Sequence, residues 1–177
     1  MKILILVNGI PASGKSFVAN KLAAHFNIPV LSIDEIKEPF MVQFSEIIDR
    51  KLNRKLGYAA YEAMFNIVKS SPPDSVFVMD AWFGFREKTI LEDYLAISGC
   101  QRVLEVWNKI SPERVAQRYK NRCGCRLKGH PGEEYIPELI SLAKEALPMA
   151  FGDVYTFDQD KECSDENLIA WIKNRLN

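Results

Sequence analysis

The sequence lacks an excess of either charge: 23 lysines and arginines balance 23 aspartates and glutamates over 177 residues. Long nucleic acid is held largely by a basic surface that displaces counterions from phosphates. A neutral chain has no such field, so extended nucleic acid is not an expected partner, and any anion must be held by local geometry. Long apolar runs are missing too. Met1 to Val7 is apolar for only a few residues before Asn8-Gly9, too short for a signal-peptide core and far too short to cross a membrane. Cysteine is sparse, at Cys100, Cys123, Cys125 and Cys163, with no disulfide framework. Reduced thiols in a cytoplasmic protein are expected. No repeat, low-complexity tract or linker is visible. A single domain over 1–177 is expected, large enough to bury a core without covalent or metal staples.

What is present alternates. Lys2–Val7 is a continuous aliphatic run, the pattern of a parallel strand buried on both faces. A helix is expected at Lys15–Phe26, with Phe17, Val18, Lys21, Leu22 and Phe26 along one side. Pro29–Ile33, Ser75–Asp80, Arg102–Trp107 and 153–157 read as further strands. Helices are expected at 35–44 (kinked by Pro39), Ile47–Ser70, Arg86–Ile97, from Ser111, at 136–147 and at 165–176. Glycines at 124, 129 and 132 mark 123–135 as a loop. Strand–helix alternation of this kind predicts an α/β domain: a three-layer α/β/α sandwich on a five-stranded parallel sheet, with ligands at the carboxyl ends of the strands.

Gly9-Ile10-Pro11-Ala12-Ser13-Gly14-Lys15-Ser16 fits the phosphate-binding pattern G-x-x-x-x-G-K-[ST] between a strand and a helix. A chance match would occur in roughly 0.6% of chains this long, and the strand–helix context lowers that further. Loop and helix N–H groups cradle phosphate oxygens, Lys15 reaches the β- and γ-phosphates, and the Ser16 hydroxyl serves Mg²⁺. The expected ligand is ATP with Mg²⁺.

Two carboxylates stand at strand ends, Asp34 and Asp80. Phosphoryl transfer needs one carboxylate for the metal and another to orient and deprotonate an attacking hydroxyl; a capping role is the plain alternative for either alone. If both strands flank the first, both carboxylates face the γ-phosphate. Arg114, Arg118, Arg122 and Arg126 recur every four residues with Glu113 as the one acid among 111–130. Such a stripe is either a solvated face or a lid over the phosphates, at about 111–135, with Arg118 and Arg122 as its charge-stabilising members.

Gly9–Ser16, Ser32–Lys37 and Glu113–Arg122 together resemble the small P-loop kinases: polynucleotide kinase, chloramphenicol phosphotransferase, gluconate kinase and zeta toxins, a group with a nucleoside-monophosphate-kinase-like fold. Uncharacterised ATP-binding proteins of that superfamily look similar at Asp34–Glu38, Arg54–Gly57 and Arg118–Gly132. The resemblance implies that Asp34 is the base for the acceptor hydroxyl. It further implies that Lys37 grips the acceptor, Arg122 belongs to the lid, and Asp80 lies at the acceptor side or near the metal. Ala12 departs from a frequent glycine, which restricts the loop backbone without abolishing binding, and Trp82 departs from a frequent asparagine, so an unusual acceptor pocket is expected.

The remaining signals are open. Cys123, Cys125 and His130 supply only three candidate zinc ligands, in no standard spacing. His25 reads as structural or exposed. Trp82, Phe83 and Phe85 fit either an acceptor platform or a buried cluster, and Asp158–Asp160 follow the last strand, where a base could rest. The expected activity is an ATP-dependent kinase acting on a hydroxyl of a small molecule. The alternatives are a 5′-hydroxyl nucleic acid kinase and a nucleotide-controlled regulatory protein.

Overall fold

The computed structural model of the protein describes residues 1–161 and 165–176, so Cys163 lies outside the described residues. Five strands run in parallel in the order β2-β3-β1-β4-β5: β1 (Ile3–Asn8), β2 (Val30–Ser32), β3 (Val76–Ala81), β4 (Arg102–Lys109) and β5 (Asp153–Asp158). β1 is central and explains its own composition. Leu4 and Leu6 face one core with Tyr61, Met64, Phe65 and Leu91; Ile5 and Val7 face the other with Val18, Leu22, Leu168 and Ile172. All four are 0% exposed, and burying each such side chain stabilises the fold by about 1.5–3 kcal/mol.

The layers follow from those two cores. α3 (Arg50–Ser70) and α4 (Lys88–Ser98) cover one face of the sheet, while α1 (Lys15–Phe26) and α7 (Asp165–Leu176) cover the other. α2 (Ile33–Gln43), α5 (Pro112–Cys123) and α6 (Ile136–Glu145) gather at the carboxyl edge, where a third apolar cluster joins Ile10, Ile110, Val115, Tyr119 and Leu139. This is the expected α/β/α sandwich.

Three expectations need correction. β2 pairs with β3 and does not flank β1, so Asp34 reaches the site from one strand further out than Asp80. Phe17 is 68% exposed, because Ala19 and Ala23 join Val18 and Leu22 as the residues α1 buries against the sheet. α3 starts at Arg50, after Asp49 accepts a 2.7 Å hydrogen bond from the Leu52 N–H, leaving Ile47 outside the helix.

A buried carboxylate ties β1 to the segment before β5. Glu105 is 0% exposed. Its Oε1 accepts from Asn8 Nδ2 at 2.7 Å and Met149 N–H at 2.9 Å, and its Oε2 accepts from Ala150 N–H at 2.7 Å. Asn8 in turn accepts, through Oδ1, the N–H groups of Gly9 and Phe83 at 2.7 and 3.1 Å. The residue before the phosphate loop is thus held by a group that can only accept. Glu105→Gln brings an amide NH₂ against one of these donors and strands it in the interior, at about 1–3 kcal/mol. Thermal unfolding should show Tm lowered by about 2–4 °C for each kcal/mol lost in a chain of this size.

Candidate active site

The strand register sets the site. Ser32, Asp80, Val7, Val106 and Tyr155 occupy one row across the sheet, so the residues that follow them emerge at one edge. The phosphate loop leaves β1 there and enters α1 through Gly14, whose φ of 91° places it in the left-handed region and which has no side-chain cap. The first N–H groups of α1 therefore lack a side-chain partner and point at the loop's interior, as an anion site requires. Gly9 has φ 154°, and a Cβ there would meet Ser13 Oγ at 2.5 Å. Ala12 stands at φ 67°, a conformation that costs an L-residue about 1 kcal/mol or more.

The loop's polar groups match a polyphosphate. Among the described residues, Ser13 Oγ and Arg122 Nε are buried without a hydrogen-bond partner, and Lys15 Nζ donates to Ile10 O alone, at 3.1 Å. Burial lowers the Lys15 pKa, with Asp80 and then Asp34 opposing it and Arg122 adding to it. Burial raises that of Asp80, against the Lys15 charge and a hydrogen bond from Ser16. Asp80 therefore sits at the Lys15–Ser16 end of the site.

Asp34 lies in the first turn of α2, whose N-cap is Ser32. Lys37 Nζ is 2.9 Å from its Oδ1, and Arg126 Nη2 is 3.0 Å from its Oδ2. Burial alone would raise this carboxyl; Lys37 and Arg126 more than offset it and hold it well below the usual carboxylate range.

A cavity of about 430 Å³ collects most of the expected residues: Pro11, Ala12, Lys15, Ser16, Asp34, Lys37, Asp80 and Arg122 all line it. Gly9, Ile10 and Ser13 lie beneath, in the root of the loop. Arg118 does not share this cavity. It faces an adjoining hollow of about 450 Å³ with Gly14, Phe17 and Gln159. A stripe rising about 6 Å every four residues passes over different parts of the site. Arg114 stands 3.8 Å from Asp160, Arg118 Nη1 donates to Gln159 Oε1 at 3.0 Å, and Arg126 reaches Asp34. The stripe is partnered after all, by acids and amides remote in sequence. Arg122 alone of the four has neither an acid within 4 Å nor a hydrogen-bond partner among the described residues.

The fold adds contacts that no spacing in the sequence shows. Arg126 continues the stripe, yet only the fold brings it to Asp34. Gln159 follows β5 and is held by Asn108 Oδ1 at 3.1 Å as well as by Arg118. Trp82 and Phe85 line the cavity, whereas Phe83 is a core residue at 0% exposure. Cys123 and Cys125 do not join His130 in a ligand group. His130 is instead 2.9 Å from Glu38 and 3.2 Å from Arg126. A carboxylate only accepts, so Nε2 carries the proton toward Glu38 and the Arg126 approach is not a hydrogen bond. Asp34, Glu38 and His130 are close enough for a metal, but Lys37 and Arg126 already neutralise their charge. Among the described residues no helix is long and apolar enough to cross a membrane.

No protein-family model and no curated protein matches the chain. Solved structures do. The chain is similar to a Chloroflexus aurantiacus protein provisionally described as a kinase, with TM-score 0.79, 23% identity and 99% of each chain covered. It is similar to deoxyadenosine kinase from M. mycoides, with TM-score 0.59, 17% identity, and 100% of this chain and 99% of that one covered. Shikimate kinase from Bacteroides thetaiotaomicron gives TM-score 0.59, 19% identity, and 99% and 98% coverage. These are likenesses of fold: the molecule has the P-loop α/β fold of the shikimate and nucleoside kinases.

Burial first, then the Arg126 and Lys37 charges, lower the His130 pKa from 6.5 to about 3. The unfolded chain therefore binds a proton below pH 6.5 that the folded chain refuses. Stability from this group is complete above pH 6.5 and is lost as pH falls from there toward 3. Urea unfolding at pH 7.5 and pH 5 should show a loss on the order of 1 kcal/mol from this residue. His130→Gln should remove that part of the pH dependence, and an unchanged dependence would contradict the assignment.

Proposed function

We propose that the protein is a cytoplasmic, ATP- and Mg²⁺-dependent phosphotransferase that moves the γ-phosphate to a hydroxyl of a small molecule. In this reading it is a member of the small P-loop kinase group that its motifs resemble. One observation carries the reading: Asp34 shares a cavity with Lys15, Ser16, Asp80 and Arg122, the chemistry of a triphosphate site. A second carboxylate in the cavity of the phosphate loop, held by two cations, supports an acceptor over mere nucleotide sensing. The cavity of about 430 Å³ and the zero net charge favour a small acceptor over a nucleic acid end.

The residues divide the work. Gly9–Ser16 hold the phosphates, with Lys15 and Arg122 against the charge that spreads over the transferring group. Ser16 and Asp80 would supply hard oxygen donors for Mg²⁺, which would neutralise phosphate charge there. Arg118, with Gln159, attends the outer part of the nucleotide. Asp34 faces the acceptor with Lys37 and Arg126.

The acceptor oxygen bonds to the γ-phosphorus as the bond to the β–γ bridging oxygen breaks, and ADP leaves. Asp34 takes the hydroxyl proton. Its depressed pKa makes it a poor base toward a free alcohol. It suits a loose transition state, in which the hydroxyl becomes acidic only as the new P–O bond forms. Its first task is orientation, fixed by two cations; the proton follows late.

Asp34→Asn keeps the shape but removes the proton acceptor. Turnover should fall by about 100-fold or more, while the Kd for ATP, read by calorimetry, stays near the wild-type value. Wild-type turnover in the variant would remove Asp34 from the chemistry.

A further inference from the structure

Gly57 has no structural reason to be glycine. It lies inside the 21-residue helix α3, where alanine is the better former. Its φ is not positive, and an added Cβ would meet nothing within 4 Å. Yet it is buried. An added Cβ would therefore enter open space, and Gly57 lines the cavity that holds Asp34 and Lys15. The same cavity is lined by Arg50, Asn53 and Arg54, the i, i+3, i+4, i+7 face of one helix.

The charges on that face are unequal. Elsewhere in the cavity Lys37 and Arg126 are neutralised by Asp34, and Lys15 faces Asp80 and Asp34. Arg50 stands 3.4 Å from Glu138, both exposed, a pair of little strength. Arg54 has no acid within 4 Å among the described residues. Its Nε donates to Tyr58 Oη at 2.7 Å, which fixes the arm and leaves both terminal NH₂ groups available. An unpaired surface arginine is ordinary; Arg54 is in addition held by a tyrosine and lines the same cavity as the open glycine position. Asn53 Nδ2 donates to Gly129 O at 2.9 Å and fastens this wall to the loop after α5.

We propose that Arg50, Arg54 and Gly57 form the acceptor-recognition wall of the cavity, and that the acceptor is a small hydroxylated organic anion. Its carboxylate or phosphate pairs with Arg54, Gly57 leaves room for its carbon frame, and its reacting hydroxyl points to Asp34. The planar fork of a guanidinium suits either oxyanion. The proposal rests on the phosphotransferase reading and names its substrate class.

The test uses the full chain, γ-labelled ATP and a metabolite extract split at neutral pH on an anion-exchange resin. Label is expected in compounds from the retained fraction. Within it, alkaline phosphatase treatment before assay separates phosphate-bearing acceptors, which are lost, from carboxylates, which persist. Arg54→Ala should raise half-saturation by the labelled acceptor about 10-fold or more, with ATP affinity unaltered. Gly57→Ala should raise Tm by about 2–4 °C while weakening the same acceptor. Label only in the unretained, neutral fraction would overturn the anionic class and leave the kinase reading standing. A fall in Tm for Gly57→Ala would show that packing demands the glycine and would remove the wall. Label in neither fraction would defeat the phosphotransferase reading, and this proposal with it.

Discussion

A half-buried ammonium group is the constraint around which the site is arranged. Lys15 lines the cavity half-buried, where burial disfavours its charge and Asp80 and then Asp34 support it. A cation in that position needs anions, and the fold supplies them from two strands: Asp80 from β3, beside β1, and Asp34 from beyond β2. The sheet order is what makes this possible. With β1 central, its loop lies between carboxylates on one side and the α5 arginines on the other.

The second organising feature is the attachment of the α5 loop to the helices it covers. Arg126 binds Asp34, His130 binds Glu38, and Gly129 accepts from Asn53. One loop thus contacts α2 and α3 at the same time, so the Asp34 side of the cavity is walled by elements that come from three parts of the chain. The arginines of α5 divide their attention accordingly. Arg118 faces the second hollow with Gln159, Arg126 meets Asp34, and Arg122, with no acid within 4 Å among the described residues, lies between them over the Tyr119 ring. Beneath the loop a chain of hydrogen bonds, buried at Glu105, Asn8 and Asn108 and half-buried beyond, runs on to Gln159 and Arg118. The root of the phosphate loop and the wall of the second hollow are therefore parts of one polar network.

Much of this was legible before the structure. The α1 helix begins at Lys15 and ends at Phe26, as its pattern indicates, and Ser111-Pro112 opens α5 with the expected cap. Such features are local: periodicity, caps and glycine stops act within a few residues. The phosphate loop was legible for the same reason, its eight residues being contiguous. What stayed hidden depends on distance in sequence. Arg126 and Asp34 are 92 residues apart, and no spacing rule connects them. The displacement of β2 to the edge is a matter of topology, which strand patterns do not encode. Phe17 was misplaced because two alanines can face a sheet as well as a phenylalanine can. Gly57 carried a weak signal, a glycine inside a helical pattern, whose meaning needed the cavity beside it.

Phosphorus NMR of the protein with ATP, Mg²⁺ and the anionic metabolite fraction tests the central claim most directly. Transfer predicts a new phosphate-ester resonance that grows in step with ADP while the γ-phosphate signal disappears. Loss of the γ-phosphate into orthophosphate alone, with no ester formed, would contradict it.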